Sequence, residues 1–305
     1  MKRLYRRSKL LLFRGSGRDV YLRDREMRKK TKIFIFVVLL GMLAGMNIFN
    51  PLRIFNPIQI TLESTFKTEF KAINEQCFVN QMQFQTLEKT RIRLLSWNIH
   101  KGEDSGWRQD LARFSQEQDL VLLQEATPEQ DLPSFSSALF VSSFAYKGRA
   151  SGVKSFSKWI PMNYCGISQS EPWIHIPKVA SVMRFPLKND DELVVINAHL
   201  INFEWTPKAY QAQLAQIFSL IPSPQSAVIL AGDFNAWNEE RKQILNEFIT
   251  QAGLNEVSFS PDERRRFFNY PLDFVFVRGM NVELAKTTQV ASSDHAPIWV
   301  ELTLE

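Results

Sequence analysis

The sequence predicts a mixed α/β domain built around buried sheets and preceded by a single apolar helix. Short apolar runs recur from Arg91 to the C-terminus, and segments of helical spacing separate them. The helix is predicted by one uncharged stretch near the N-terminus that shows no polar face. With 45% hydrophobic and 23% charged residues among 305, the chain has the composition of a globular protein with a core rather than of a disordered one.

The first element is a basic tail. Residues 1–32 hold thirteen Lys/Arg and three Asp/Glu, a local charge of +10 that leaves −5 for the rest of a chain whose total is +5. Strong duplex binders carry a basic stripe of their own, because phosphate contacts dominate that affinity. The charge distribution therefore argues against a high-affinity DNA binder. Next comes IFIFVVLLGMLAGMNIF, Ile33 to Phe49, uncharged and with one polar residue, Asn47. As a helix it would span about 26 Å, slightly under the ~30 Å hydrocarbon core, and such a mismatch costs little. The basic flank predicts a cytoplasmic tail and a C-terminal domain on the other side of the membrane. A cleaved signal peptide started at Met27 is the competing reading, but Leu43-Ala44-Gly45 makes no clear small-x-small cleavage site. If the segment is no anchor, the compartment is the cytoplasm.

Residues 50–90 read as a stalk: Pro51 and Pro57 break the helix, and a polar run follows from Thr61 to Thr90. The domain proper is expected over 91–305. Ile92, Leu94 and Leu95 open a strand that runs into Trp97, and Leu111 and Phe114 suit an amphipathic helix. Asp119–Gln124, Glu192–Asn197, Ala227–Gly232 and Leu272–Val277 read as buried strands. Tyr210, Leu214, Ile217 and Leu220 give a helix begun at Pro207, and 239–251 give another. Cys77 and Cys165 lack metal-ligand spacing, which excludes a thiolate zinc site; two free thiols is the simpler reading, and a pair in an oxidising compartment stays open.

Polar residues cluster where these apolar runs end, the place where sheets present groups to ligands. Asn98, Glu125, Asn197, His199, Asp233, Asn235, Asp294 and His295 form this set. Carboxylates and carboxamides without thiolates suit Mg²⁺ or Mn²⁺, ions that stabilise charge on a transferring phosphoryl group. No G-x-S-x-G elbow and no P-loop occurs, so water is the expected nucleophile.

SWNIHKG (Ser96–Gly102), LLQEA (Leu122–Ala126), NAHL (Asn197–Leu200), GDFNAW (Gly232–Trp237), LDFVF (Leu272–Phe276) and SDHAP (Ser293–Pro297) resemble, in order, the motif set of the endonuclease/exonuclease/phosphatase superfamily. That superfamily includes DNase-I-like nucleases, apurinic endonucleases, sphingomyelinases and inositol-polyphosphate phosphatases. Ser151-Gly152-Val153, GDFNAW and RRR…PLDFVF are similar to a bacterial YafD-like branch. The resemblance implies a DNase-I-like, two-sheet, four-layer α/β sandwich over about 92–303. It implies that Glu125 is the principal metal ligand, that Asn98 holds the metal or its water, and that Asp294 completes the metal site. Asp233 would orient or deprotonate the attacking water, and Asn235 would fix its position. Asp273 would orient His295, which contacts the phosphoryl oxygens or relays a proton, and His199 would stabilise the transition state from the other side.

Weaker substrate-binding candidates are Arg266 in the run Arg264–Arg266, His100 near Asn98, and Trp237. Trp237, Phe203 and Trp205 suit rim packing, base stacking or an acyl groove. The expectation is a monomeric, metal-dependent phosphoesterase acting on nucleic acid, phospholipid or a small phosphoester, held at a bacterial inner membrane. The alternative is a membrane-anchored binding module that kept the fold and lost turnover.

Overall fold

The computed structural model describes residues 51–188, 191–221 and 226–305, together with the isolated Ile35. The basic tail and the expected anchor Ile33–Phe49 otherwise lie outside the described residues. Among the described residues no helix is long and apolar enough to cross a membrane.

In chain order the strands are β1 (Leu52–Ser64), β2 (Thr68–Lys71), β3 (Cys77–Val79), β4 (Arg91–Asn98), β5 (Leu120–Ala126), β6 (Ser137–Tyr146), β7 (Arg149–Ser157), β8 (Asn163–Ser170), β9 (Pro177–Pro186), β10 (Glu192–His199), β11 (Ala227–Asp233), β12 (Asn255–Glu256), β13 (Arg266–Phe267), β14 (Tyr270–Pro271), β15 (Asp273–Arg278), β16 (Met280–Thr287) and β17 (Ile298–Leu304). Helices cover Trp107–Ser115, Lys208–Ser219 and Glu239–Gln251. One eight-stranded sheet runs β16-β17-β4-β5-β7-β6-β1-β2; a seven-stranded sheet runs β12-β15-β11-β10-β9-β8-β3.

Alternation along each strand sorts its side chains between two cores. Leu94 and Leu122 join Val195, Ile229 and Val275 between the sheets. Their neighbours Leu95 and Val121 face outward with Trp107 and Leu111 of the first helix. On the other sheet Val194, Ile196, Val228 and Leu230 face Tyr210, Leu214 and Leu245 of the other two helices. Strands covered on both faces read as continuous apolar runs, which is why β5, β10 and β11 are visible in the sequence. The observed layering agrees with a two-sheet α/β sandwich.

Two expectations are corrected. The described part of the expected stalk, residues 51–90, is not a stalk. β1 pairs with β6 and β2, and β3 pairs with β8. Ile60 and Leu62 of β1 and Leu87 beyond β3 are buried in the inter-sheet core. Ile58, Ile60 and Leu62 alternate with Gln59, Thr61 and Glu63, a strand period that the two prolines mask. The cysteines are not free either. Cys77 and Cys165 are directly opposed between β3 and β8, and they form a disulfide across that pairing.

One glycine is required next to the site. Gly232 has φ +144°, and a Cβ there would lie 1.9 Å from the Ala198 carbonyl oxygen. Its bare backbone lets β11 close onto β10 and brings His199 and Asp233 into parallel register.

Candidate active site

The site assembles where both sheets end on the same edge. Asn98 closes β4, and Glu125 is the penultimate residue of β5. His199 and Asp233 close β10 and β11 as register partners, and Asp273 opens β15 opposite Asp233. His295 precedes β17. Of the expected residues, Asn98, Glu125, His199, Asp233, Asn235, Asp273 and His295 come together.

Buried polar bonds behind the site fix its spacing. The Gln124 amide, on one sheet, donates to Asn197 Oδ1 on the other at 2.8 Å. Asn197 Nδ2 in turn donates to the Leu123 carbonyl and to Ser155 Oγ, each at 3.1 Å. The hydroxyls of Ser155 and Ser181 meet at 2.8 Å across the same gap. Such groups are tolerated in a core where they satisfy one another, and in this bridge Gln124 Oε1 alone lacks a protein partner.

Asp233 is the centre. Asn98 Nδ2 donates to its Oδ2 at 3.0 Å, and the Asn235 amide N–H donates to its Oδ1 at 3.1 Å. His199 Nε2 lies 3.5 Å from Oδ2. Burial raises the Asp233 carboxyl above its ordinary range, against the opposing pull of His295 and His199. Asn235 sits at φ 47°, a left-handed conformation that asparagine tolerates, and its side chain is pinned to the Leu200 carbonyl at 3.1 Å.

The two histidines carry different charges. His295 Nδ1 donates to Asp273 Oδ2 at 2.7 Å. Burial alone would discharge its ring, but Asp273, with Asp233 and Asp294, holds it cationic up to about 10. For His199, burial and the Lys178 ammonium act together to depress it to about 4. Lys178 Nζ lies 2.9 Å from His199 Nε2; an ammonium can only donate, so Nε2 accepts and the ring is neutral at pH 7.

Glu125 is held in a left-handed backbone at φ 51°, with Oε1 4.0 Å from His199 Nε2 and Oε2 taking the Lys101 ammonium. Burial would raise its carboxyl, but His199, Lys178 and Lys101 outweigh that and hold it at about 2. With His199 neutral at pH 7, the two lysines dominate there. Sequence reasoning missed both as site residues. Lys101 lay inside a quoted motif, whereas Lys178 arrives through the pairing of β9 with β10, which leaves no local signal.

The remaining candidates stand apart or at the rim. Asp294 is exposed beside His295. Among the described residues the group of carboxylate and imidazole atoms close enough to share an ion, within 4.8 Å, is Asp233, Asp273 and His295. Arg266 is exposed and bound to Asp262 and to the Asn269 carbonyl. Its buried neighbour Arg264 instead supports the site, donating to the Asp273 carbonyl at 3.0 Å. His100 is bonded to Asp104 at 2.8 Å. Trp237 shares a cavity wall with Asn235.

This arrangement offers an uncharged imidazole, a cationic imidazole, a buried carboxylate and an ionised carboxylate around one point, the equipment for polarising a phosphoester and directing water at it. The sequence model of the Endonuclease/Exonuclease/phosphatase family matches residues 95–295. A UPF0294 protein of Vibrio vulnificus is 36% identical over 241 residues, 76% of this chain and 85% of that protein. Among solved structures, the human Nocturnin catalytic domain with bound sulfate is similar at a TM-score of 0.53 and 16% identity, over 73% of this chain and 97% of that one. A mannosyl-6-phosphatase of Bacteroides thetaiotaomicron is similar at a TM-score of 0.52 and 18% identity, over 70% and 100%. The chain belongs to the endonuclease/exonuclease/phosphatase family and is, at that level, a phosphoesterase.

Proposed function

We propose that this chain hydrolyses a phosphodiester or phosphomonoester by in-line attack of water, with Mg²⁺ or Mn²⁺, outside the cytoplasm of a bacterium whose inner membrane anchors it. The observation that carries the reading is Asp233, buried between Asn98 and His199 and within reach of the His295–Asp273 pair. Asp233 orients the water and takes its proton, a role that its raised carboxyl range suits. Asn235 fixes the loop that holds the water. Cationic His295 stabilises the phosphoryl oxygens from one side, and the Lys178 ammonium, held by the accepting Nε2 of neutral His199, does so from the other.

The residues fit a hard divalent cation. Glu125 keeps its charge at neutral pH, Asn98 adds a carboxamide oxygen, and no thiolate competes. Glu125 and Asn98, with Asp294 at the rim, are the residues that would hold it. Bound there, it would supply positive charge to the phosphoryl group. The positive tail charge and the disulfide both support a domain outside the cytoplasm. The complete set of site groups weighs against a silent binding module.

Full-length protein with Mg²⁺ should hydrolyse one of bis-(p-nitrophenyl) phosphate, DNA or phospholipid. Asp233→Ala and His295→Ala should each lower kcat by about 10²–10⁴-fold, and Glu125→Ala should raise the metal concentration required. Undiminished hydrolysis in both Asp233→Ala and His295→Ala would sink the assignment.

A further inference from the structure

The catalytic edge carries more exposed aromatic surface than hydrolysis requires. Trp205 is 87% exposed and Phe268 83%, and Trp173, Phe203 and Phe267 are also exposed. All lie on one edge of the sandwich. Trp173 sits between β8 and β9, Phe203 and Trp205 follow β10, Phe267 ends β13, and Phe268 opens the turn to β14, which leads into Asp273. Trp173 packs on Trp205 at 4.4 Å between ring centroids, and Phe267 on Phe268 at 4.8 Å. Phe268 is held outward at φ 50°, a backbone that a bulky residue rarely adopts. Between the two pairs lies a cavity of about 400 Å³ whose wall includes Trp237, Leu272 and the site residue Asn235. Apolar groups clustered at a cleft mouth mark an interaction surface, unlike single exposed apolar residues.

Strand register fixes where the described unit starts. Ala126, at the catalytic end of β5, pairs with Gly152 at the start of β7. Arg149 of β7 pairs with Tyr146 at the end of β6, and Tyr146 pairs with Leu52 at the start of β1. Leu52 therefore lies at the same edge as Asn98 and Glu125. The apolar run Ile33–Phe49 ends three residues before Leu52, at most about 10 Å of chain.

We infer that the aromatic mouth sits on a lipid surface, so that the site receives a phosphoester presented at the bilayer, with the substrate's apolar part in the cavity beside Asn235. This rests on the phosphoesterase reading for the substrate, though not for the surface. Aromatic rings prefer the interfacial zone of a bilayer, where an apolar body and a polar environment coexist. Exposed cations lie on this edge: Arg265 near Phe267 in sequence, and Arg53 and Lys147 next to the paired Leu52 and Tyr146. These favour anionic lipid. A single-stranded nucleic acid would also stack on the rings, but it needs a basic track for its backbone. The wall of the cavity between the ring pairs includes Glu204 and no Lys or Arg.

Tryptophan emission tests this on the full chain, because residues 1–50 contain no Trp and anchoring by itself brings none to the bilayer. The protein is reconstituted into phosphatidylcholine/phosphatidylglycerol vesicles with or without bromine on the acyl chains near the headgroup. Bromolipid should lower wild-type emission; Trp173→Phe/Trp205→Phe should abolish most of that loss, and Phe268→Trp should enlarge it. A misfolded variant cannot imitate this opposed pair of changes. Equal quenching in wild type and both variants overturns the inference, as does quenching by a single-stranded oligonucleotide in place of bromolipid. The readout needs no turnover. Quenching without hydrolysis would sink the phosphoesterase reading alone, and hydrolysis of a soluble phosphodiester without quenching would sink the lipid surface alone.

Discussion

His295 shows how one residue ties stability to pH. Its folded value of about 10 lies above the ~6.5 of an unfolded histidine, so folding binds its proton more tightly. The contribution is therefore fully present below about 6.5 and is lost as pH rises through about 10. Melting temperatures taken in EDTA between pH 6 and 10 should fall in wild type, and Asp273→Asn should flatten the curve; parallel curves would refute the pairing. Much of the site was legible at this scale. Asn98, Glu125, His199, Asp233, Asn235, Asp273 and His295 follow or begin apolar runs, and a strand end is a local property. Lys178 and Arg264 were not legible, because each reaches the site through contacts distant in sequence: Lys178 through the β9–β10 pairing, Arg264 through a bond to the Asp273 backbone. Arg266 illustrates the converse. A run of three arginines does not say which one faces inward.

The element least visible in the sequence is β1. Pro51 and Pro57 resemble breakers, yet Pro57 falls where the β1–β6 register shifts, between Ile54 and Gln59. Irregular points of a ladder are where a strand accepts proline, since no pairing N–H is lost there. β5, β10, β11 and β15 were legible for the opposite reason: cores on both faces leave them little polar alternation. Losing β1 has a definite consequence. A chain begun at Thr90 uncovers the inter-sheet core around Ile60, Leu62 and Leu87 and removes the partner of Cys165. It should bind a hydrophobic dye and lose the cooperative melting of the full chain. Cooperative melting at an unchanged temperature would show that β1 to β3 are dispensable.

For the molecule as a whole, the disulfide joins residues 88 apart and closes the seven-stranded sheet's outer pair, β3 and β8. Cross-links of that span commonly stabilise by about 2–4 kcal/mol, so Cys77→Ser should lower the unfolding free energy by that order in denaturant titrations. No loss would mean that the bond does not constrain the unfolded chain. The pairing was not legible, because two cysteines acquire a relation only through strand register. Disulfides persist in oxidising compartments, in keeping with the charge of the tail. A phosphatase reporter that matures only outside the cytoplasm, fused after Glu305, should be active; an inactive fusion alongside an active cytoplasmic one would reverse the topology.

The polar bridge of Gln124, Asn197, Ser155 and Ser181 has one more consequence. Its bonds join the two sheets, and Asn98 and Glu125 belong to one sheet while His199 and Asp233 belong to the other. The cleft is therefore a seam between two sheets, and a change in the bridge reaches catalytic groups on both sides at once.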